Sequence, residues 1–191
     1  MHLSQVLDVI GRLLRNAAHP EIEAVERFGT DSAPGGPSPA GLRIRYVNGA
    51  LAYLWGAIWP GETDLPAPDR LPPPRGNRPD RAAVLVALLL EAARPAEFRS
   101  WQLVALPDLG PTGQRGKVPR GLRIVAADGT SLLLRATAAG GPDRDPPDEP
   151  FPEWTVPAQI SADLAVGLAG GLSAGLAGGL SAGLAGGLSA D

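Results

Sequence analysis

The sequence Gly-Leu-Arg-Ile at residues 41–44, followed by Asn-Gly at 48–49 and an apolar run, decides the fold because the chain contains this pattern twice. The second copy is Gly-Leu-Arg-Ile at 121–124, followed by Asp-Gly at 128–129 and another apolar run. Asn-Gly and Asp-Gly between strand-like runs are strong hairpin signals, since a type I′ turn requires positive φ at both central residues. Each copy therefore predicts a β-hairpin with a two-residue turn.

A two-residue turn would fix the register and the faces of the first hairpin, pairing Leu42 with Trp55 and Ile44 with Tyr53. Period-2 alternation then predicts one apolar face, formed by Leu42, Ile44, Tyr46, Leu51, Tyr53 and Trp55. The opposite face would carry Ala52 and Leu54 with two candidate partner-binding residues, Arg43 and Arg45. In the second hairpin the same rule separates Leu122, Ile124 and Leu133 from Val125, Leu132 and Leu134.

A helical segment and a strand precede each hairpin. Residues 3–18 have apolar residues at helical spacing, and a helix over 81–94, with Asp80 as its N-cap, is apolar almost all round. Such a helix is normally buried, so burial is predicted for Leu85, Leu88 and Leu89. The sequence thus predicts an α+β fold of two internally duplicated α-β-β-β units around a pseudo-twofold axis. Their strands would form a mixed or antiparallel sheet with both helices on one face.

Composition predicts the boundaries of the chain's parts. The duplicated domain is expected over residues 1–139, with unit one at 1–61, a Pro-rich connector at 62–79 and unit two at 80–139. A Pro/Asp-rich linker is expected over 140–160 and a Leu/Gly-repeat, low-complexity tail over 161–191.

The tail has leucine at every fourth residue from Leu164 to Leu188, with no charge between Leu164 and Ala190. One interpretation is a membrane-associated helix, since a small residue at every fourth place allows close helix packing in bilayers. A second is a low-complexity extension, because each Gly costs roughly 1 kcal/mol in a helix relative to Ala. A third is a recognition segment, since the tail and its Pro-rich linker resemble the C-terminal targeting peptides of encapsulin cargo proteins. The candidate partner-binding residues of the tail are Leu172, Leu176, Leu180 and Leu184.

The residue types needed for catalysis or metal binding do not form a motif. There is no cysteine, and the only histidines, His2 and His19, have no supporting cluster. The acidic run over 143–149 contains prolines where a calcium loop needs Gly, and the Gly-Lys pair at 116–117 is not followed by Ser or Thr. No catalytic, cofactor-binding or metal-binding residue is therefore predicted.

The net charge of −3 is mild and argues against a nucleic-acid partner. The predicted register also places Arg43 and Arg45 away from Trp55. A single lysine beside many arginines suggests a GC-rich bacterial genome. We expect a cytoplasmic, non-enzymatic protein-binding or adaptor module with a C-terminal interaction tail. The alternatives are a small hydrolase or ligand-binding enzyme whose carboxylates meet in the fold, and a membrane-associated protein held by its tail.

Overall fold

The structure is a computed structural model that describes residues 1–29, 40–58, 65, 67–68, 78–105, 121–140 and 151–160. Two helices and six strands occur in these ranges. In chain order they are α1 (Leu3–Asn16), β1 (Ile22–Phe28), β2 (Gly41–Tyr46), β3 (Leu51–Ile58), α2 (Arg78–Ala93), β4 (Phe98–Val104), β5 (Gly121–Ala126) and β6 (Ser131–Ala139).

The six strands form one antiparallel sheet in the order β1-β2-β3-β6-β5-β4, which confirms the predicted α+β class. The two long strands β3 and β6 lie at the centre and pair from Leu51 opposite Ala139 to Ile58 opposite Leu132. Each hairpin thus contributes one central strand, and β1 and β4 form the two edges.

The hairpin loops are three residues long, so the predicted two-residue turn is wrong. In the first loop the Tyr46 amide donates to the Ala50 carbonyl, and Gly49 lies in the left-handed region at φ 79°. Asn48 is not among the residues with positive φ, as a type I′ turn would require. Its side-chain oxygen instead accepts a hydrogen bond of 3.0 Å from the Ala50 amide.

The second loop is built in the same way. The Ala126 amide donates to the Thr130 carbonyl, and Gly129 has a φ of 85°. The Asp128 side chain accepts a hydrogen bond of 2.9 Å from the Thr130 amide. Asn-Gly and Asp-Gly therefore mark the turns correctly, but they serve a loop in which only the glycine has positive φ.

One extra loop residue shifts the hairpin register by one and reverses the predicted faces of β3 and β6. Leu42 pairs with Leu54 and Ile44 with Ala52, so these side chains face the core together. Tyr53 and Trp55, predicted to share that apolar face, lie on the opposite face with Arg43, since Arg43 pairs with Tyr53. Likewise, Leu122 and Ile124 share the core face with Leu134 and Leu132, and not with Leu133.

Both helices pack on the face of the sheet that carries Leu42 and Leu54, and one core includes residues from both halves of the chain. Two glycines lie where the Cβ of any other residue would come close to a neighbouring side chain. A Cβ at Gly56 would lie 2.4 Å from the Cδ1 of Leu3, and one at Gly11 would lie 3.2 Å from the Cδ2 of Leu42. These glycines let α1 approach the sheet closely.

The buried side of α2 is formed by Ala82, Ala83, Val86, Leu89, Leu90 and Ala93. Leu89 is buried as predicted, and Leu85 is half-buried. The predicted burial of Leu88 is wrong, since 51% of this residue is exposed. The helix is apolar almost all round, so its sequence does not distinguish the inward side from the outward side.

The geometry of the first half recurs in the second. Gly41 opposite Trp55 recurs as Gly121 opposite Arg135, and the irregularity in β1 between Ile22 and Ala24 recurs in β4 between Phe98 and Ser100. Both helices are followed by a non-glycine residue at φ 45°, which is Ala18 after α1 and Arg94 after α2. The buried helix positions 6, 7, 10, 13, 14 and 17 correspond to 82, 83, 86, 89, 90 and 93.

Residues 151–160, predicted as part of a linker, contact the helix layer. The Trp154 ring packs edge-on against His19 with centroids 4.3 Å apart, and Ile160 is only 1% exposed in the main core. The tail predicted over 161–191 lies outside the described residues. Removal of the tail alone therefore has to begin after Ile160.

We expect Leu89→Asp to abolish the cooperative fold and Leu88→Asp to leave it intact. An unpaired buried charge costs several kcal/mol, a large part of the stability of a domain this size, whereas an exposed position keeps the new carboxylate in water. Circular dichroism during thermal unfolding compares these neighbouring, chemically identical substitutions. Unfolding of Leu88→Asp with survival of Leu89→Asp would contradict the orientation of α2.

Candidate functional site

The face of the sheet opposite the helices combines arginine and aromatic side chains, and we call it the open sheet face. Its defining residues come from β1, β2, β3, β5 and β6. They are Glu26, Phe28, Arg43, Arg45, Tyr53, Trp55, Arg123, Arg135 and Thr137. Antiparallel pairing places them in rows, with Glu26, Arg43, Tyr53 and Thr137 in one row and Phe28, Trp55 and Arg135 in the next.

Glu26 holds both arginines of β2. Its Oε2 accepts a 3.0 Å hydrogen bond from the Nε of Arg43 and a second bond from Nη2, and its Oε1 accepts a 2.9 Å bond from the Nη2 of Arg45. The Nε of Arg45 also lies 3.9 Å from a carboxylate oxygen of Glu23. The side chains of Arg43, Arg45 and Glu26 are 43%, 41% and 39% exposed, so the network is open to water.

This network changes the proton affinity of its central groups. The hydrogen bonds from Arg43, followed by its positive charge, hold the pKa of Glu26 below the ordinary value of 4.5, and Arg45 adds to this effect. The same contacts with Glu26 raise the pKa of Arg43, and Tyr53 contributes a smaller increase. The carboxylate of Glu26 and the guanidinium group of Arg43 are therefore charged at neutral pH.

Aromatic rings lie directly beside the ion pairs. Phe28 and Tyr53 meet edge to face with their centroids 5.4 Å apart. The Phe28 ring lies over Gly41, where a Cβ would come within 2.6 Å of the ring and within 2.5 Å of the Leu54 carbonyl oxygen. This close approach explains the glycine that begins the first Gly-Leu-Arg-Ile copy.

Trp55 links the two halves of the sheet on this face. It lies directly opposite Arg135 in the central strand pair, and its indole Nε1 donates a 3.1 Å hydrogen bond to the Oγ1 of Thr137. Because Trp55 and Arg135 hold the same register position in their respective hairpins, this row marks the middle of the sheet.

The second half of the open sheet face has a different composition. The positions that correspond to Glu26 and Tyr53 carry Gln102 and Leu133. Leu133 and Val104 are buried in a small separate cluster against Leu65. Residue 65 therefore covers this part of the face, whereas the Glu26 network in the first half is about two-fifths exposed.

A buried polar cluster lies on the helix side. The carboxylate of Glu21, next to β1, is ion-paired with Arg81 of α2, whose guanidinium lies 5.7 Å from the Tyr46 ring centroid. Glu21 and Asp80 are the buried carboxylates among the residues that the structure describes. The contacts of Glu21 tie α2 to the sheet, and within the described ranges no three His, Cys, Asp or Glu residues form a metal-binding group.

The structure describes two of the predicted partner-binding residues, the arginines of β2. Arg43 and Arg45 lie together on the open sheet face, on the same side as Trp55, so their predicted separation from this tryptophan is wrong. The four tail leucines lie outside the described residues. Sequence reasoning missed Glu26 as the group that holds both arginines. Strand alternation places Glu26 on the same face of β1 as Phe28, but the residues that Glu26 contacts follow only from the β1–β2 register.

Comparison of the chain with protein-family models, with curated proteins and with solved structures gives no match. Neither helix of the described ranges is long and apolar enough to cross a membrane.

The depressed pKa of Glu26 predicts a specific acid sensitivity. A carboxyl group with a lowered folded-state pKa stabilises the fold above its unfolded-state pKa, and this contribution is lost as the pH falls through the folded-state pKa. We therefore expect the NMR titration midpoint of the Glu26 carboxyl to lie below the ordinary value of 4.5 and to rise in Arg43→Ala.

Arg45→Ala serves as the matched control, because it removes the same charge from the neighbouring position of β2 on the same face. It should raise the midpoint by less, since the hydrogen bond and charge of Arg43 are the larger causes of the shift. An unchanged midpoint in Arg43→Ala would show that the ion pair does not form in solution.

Proposed function

We propose that the chain is a non-enzymatic protein-binding or adaptor module of the cytoplasm. A partner protein docks on the open sheet face, and the C-terminal tail is a second interaction segment. The observation that carries the proposal is the placement of Arg43, Arg45, Tyr53 and Trp55 on one face of a rigid sheet, beside a half-exposed ion-pair network.

The composition of the face supports a protein partner. Arginine, tyrosine and tryptophan are enriched at protein interfaces and dominate their binding energy. Glu26 already fixes the two guanidinium groups, so less side-chain freedom remains to be lost when a partner binds. The face is thus preorganised without being sealed from water.

Charge favours a partner with acidic groups. The open sheet face, as defined by the described strands, has Arg43, Arg45, Arg123 and Arg135, with Glu26 as its acidic member and Glu23 beside Arg45, so the arginines outnumber the carboxylates. The whole chain has a net charge of −3, so the positive charge of this face is a local feature. A partner that offers carboxylates to the arginines and apolar area to Tyr53 and Trp55 fits it.

We further infer that the two halves of the domain are an internal duplication. The repeated Gly-Leu-Arg-Ile sequence, the matching hairpin registers and the matching strand irregularities support it. On this interpretation Glu26 and Tyr53 distinguish the first half from the second, where Gln102 and Leu133 stand. Partner contacts would then concentrate on the first half of the face.

Capture with the full chain tests the role of the face. Proteins bound to the immobilised wild type are identified, and the binary affinity is measured with each purified candidate. The double substitution Arg43→Ala, Arg45→Ala should lower the affinity for the true partner about tenfold or more, and a tenfold loss corresponds to about 1.4 kcal/mol of binding free energy. Thermal unfolding of the free variant checks that the domain remains folded.

The matched control is Arg15→Ala with Arg94→Ala, which removes the same charge from the helix side, where both residues are exposed. If both double variants weaken binding equally, general charge attraction accounts for it and the face is not the docking site. Fluorescence anisotropy with a single-stranded oligonucleotide is run in parallel. If the oligonucleotide binds tightly and this binding requires Arg43 and Arg45, the partner of the open sheet face is nucleic acid and not a protein.

The tail is tested separately with a chain that ends at Ile160 and with a full chain carrying serine in place of Leu172, Leu176, Leu180 and Leu184. Leucine is the tail's main source of apolar area, and each fully buried leucine contributes roughly 1.5–3 kcal/mol. Both variants should therefore lose any association that the tail mediates. A tail-dependent shift of the protein into the alkali-resistant membrane pellet would instead favour membrane attachment.

A further inference from the structure

The two edge strands of the sheet, β1 and β4, have the same geometry but different side chains. Each pairs with one neighbouring strand among those that the structure describes, and each has an irregularity directly after its first residue, which aligns the two strands. The aligned residues are Val25, Glu26 and Arg27 in β1 and Trp101, Gln102 and Leu103 in β4. Two of the three positions are therefore charged at the first edge, and none is charged at the second.

The hydrogen bonds of the second hairpin show which backbone groups of β4 point away from the sheet. The Ala126 amide bonds across the hairpin toward β6, so the even-numbered residues of β5 bond to β6 and the odd-numbered ones bond to β4. Gln102 lies opposite Arg123 and therefore bonds toward β5. Trp101 and Leu103 consequently direct their backbone N–H and C=O groups outward, along the edge of the sheet.

The corresponding edge of β1 is protected by charged side chains. The Nη1 of Arg15 lies 3.4 Å from the carbonyl oxygen of Val25, one of the outward groups of β1. Arg27 stands at the other outward position, where its Nη1 lies 3.7 Å from a carboxylate oxygen of Asp8. Charged residues on an edge strand and side chains that cover its backbone are common devices against pairing with another strand.

The edge of β4 does not have these devices. Because the buried positions of the two helices correspond with an offset of 76 residues, Arg15 of α1 is matched by Glu91 of α2, whose carboxylate accepts hydrogen bonds and cannot cover a carbonyl oxygen as arginine does. Trp101 and Leu103 are half-buried against the main core, and Gln102 is exposed. Apolar and neutral side chains thus accompany the outward backbone groups, a combination that favours pairing with a further strand.

We propose that a second copy of the chain pairs with this edge, so that the β4 strands of two molecules lie antiparallel and their sheets continue into one. The irregularity removes Arg99 from the regular ladder, so a register that uses residues 100–104 of both copies is centred on Gln102. Trp101 then exchanges backbone hydrogen bonds with Leu103 of the second copy. The two Gln102 side chains lie directly opposite each other.

This register makes the edge complementary to itself, which favours a second copy as the occupant. Each tryptophan meets a leucine, and the two Gln102 amides can each donate and accept a hydrogen bond. The same arrangement at β1 would place Glu26 opposite Glu26 of the second copy, and like charges in directly opposite positions are destabilising. Opposite residues share a face, so the twofold would put both open sheet faces on one side. The inference does not depend on the partner proposed for that face.

A disulfide cross-link tests the register in the full chain, which has no cysteine of its own. Gln102→Cys places two thiols at a non-hydrogen-bonded pair, where the Cα atoms are about 4.5 Å apart, within the range that a disulfide bridges. Mild oxidation should therefore convert this variant to a covalent dimer on a non-reducing gel. Ser100→Cys is the matched control, since Ser100 is exposed on the same face but would lie opposite Val104 of the second copy.

Sedimentation equilibrium tests the association without a cross-link. The wild type should approach twice the chain mass of 19.6 kDa as its concentration rises, and Leu103→Arg, which copies Arg27 of β1, should remain a monomer. Leu88→Arg introduces the same side chain at the exposed side of α2 and should leave the dimer intact. Circular dichroism checks that both variants are folded. A mixture of Gln102→Glu and Gln102→Lys chains should contain more dimer than either variant alone.

Three results would overturn the proposal. Equal cross-linking of Gln102→Cys and Ser100→Cys would show collision without a defined register. A dimer that survives Leu103→Arg and the Gln102→Lys substitution would place the interface elsewhere on the molecule. A wild type that stays monomeric at every concentration would leave the β4 edge to a strand of a different protein. Loss of binding to the partner of the open sheet face, measured separately, would not affect any of these outcomes.

Discussion

The structure depends on how the two hairpin loops set the register of their strands. In each loop an Asn or Asp side chain accepts a hydrogen bond from the amide two residues further along, at Ala50 and at Thr130, and a glycine with positive φ completes the loop. Because strand side chains alternate, a register change of one residue would exchange the core and the open sheet face. The face on which the arginine and aromatic side chains of the two hairpins lie follows from these two short loops.

The two halves are joined through backbone pairing and through side chains on both faces. On the open sheet face, Trp55 bonds to Thr137 across the central strands. On the helix side, Gly56 leaves the space in which Leu3 of α1 meets Leu134 of β6, and Glu21 pairs with Arg81 of α2. Breaking a buried ion pair by removing one partner costs about 3–5 kcal/mol, so this last contact binds the second helix firmly to the first half. Both halves contribute residues to the one main core.

The sequence sufficed for the elements whose evidence is local, but not for features that depend on distant residues. Apolar periodicity located α1, and the Asn-Gly and Asp-Gly pairs located the hairpins. Both dipeptides suit loops of two or three residues, however, so the predicted faces of β3 and β6 were reversed. Leu88 was misplaced because a helix that is apolar all round offers no periodicity from which to choose an inward side. Glu26 and Ile160 have contacts far along the chain, and no local pattern distinguishes either residue.

Comparison of the two halves helps to separate the demands of the fold from those of function. Equivalent positions share a strand register, and the buried positions of the two helices correspond, so the two backbones are alike. Burial on the open sheet face nevertheless differs, since Leu133 is buried against Leu65 whereas Tyr53 is half-buried beside an exposed ion-pair network. The strand register alone does not dictate Glu26 and Tyr53, because the same register in the second half carries Gln102 and Leu133. The charged and aromatic surface of the first half is therefore a feature that the backbone does not impose.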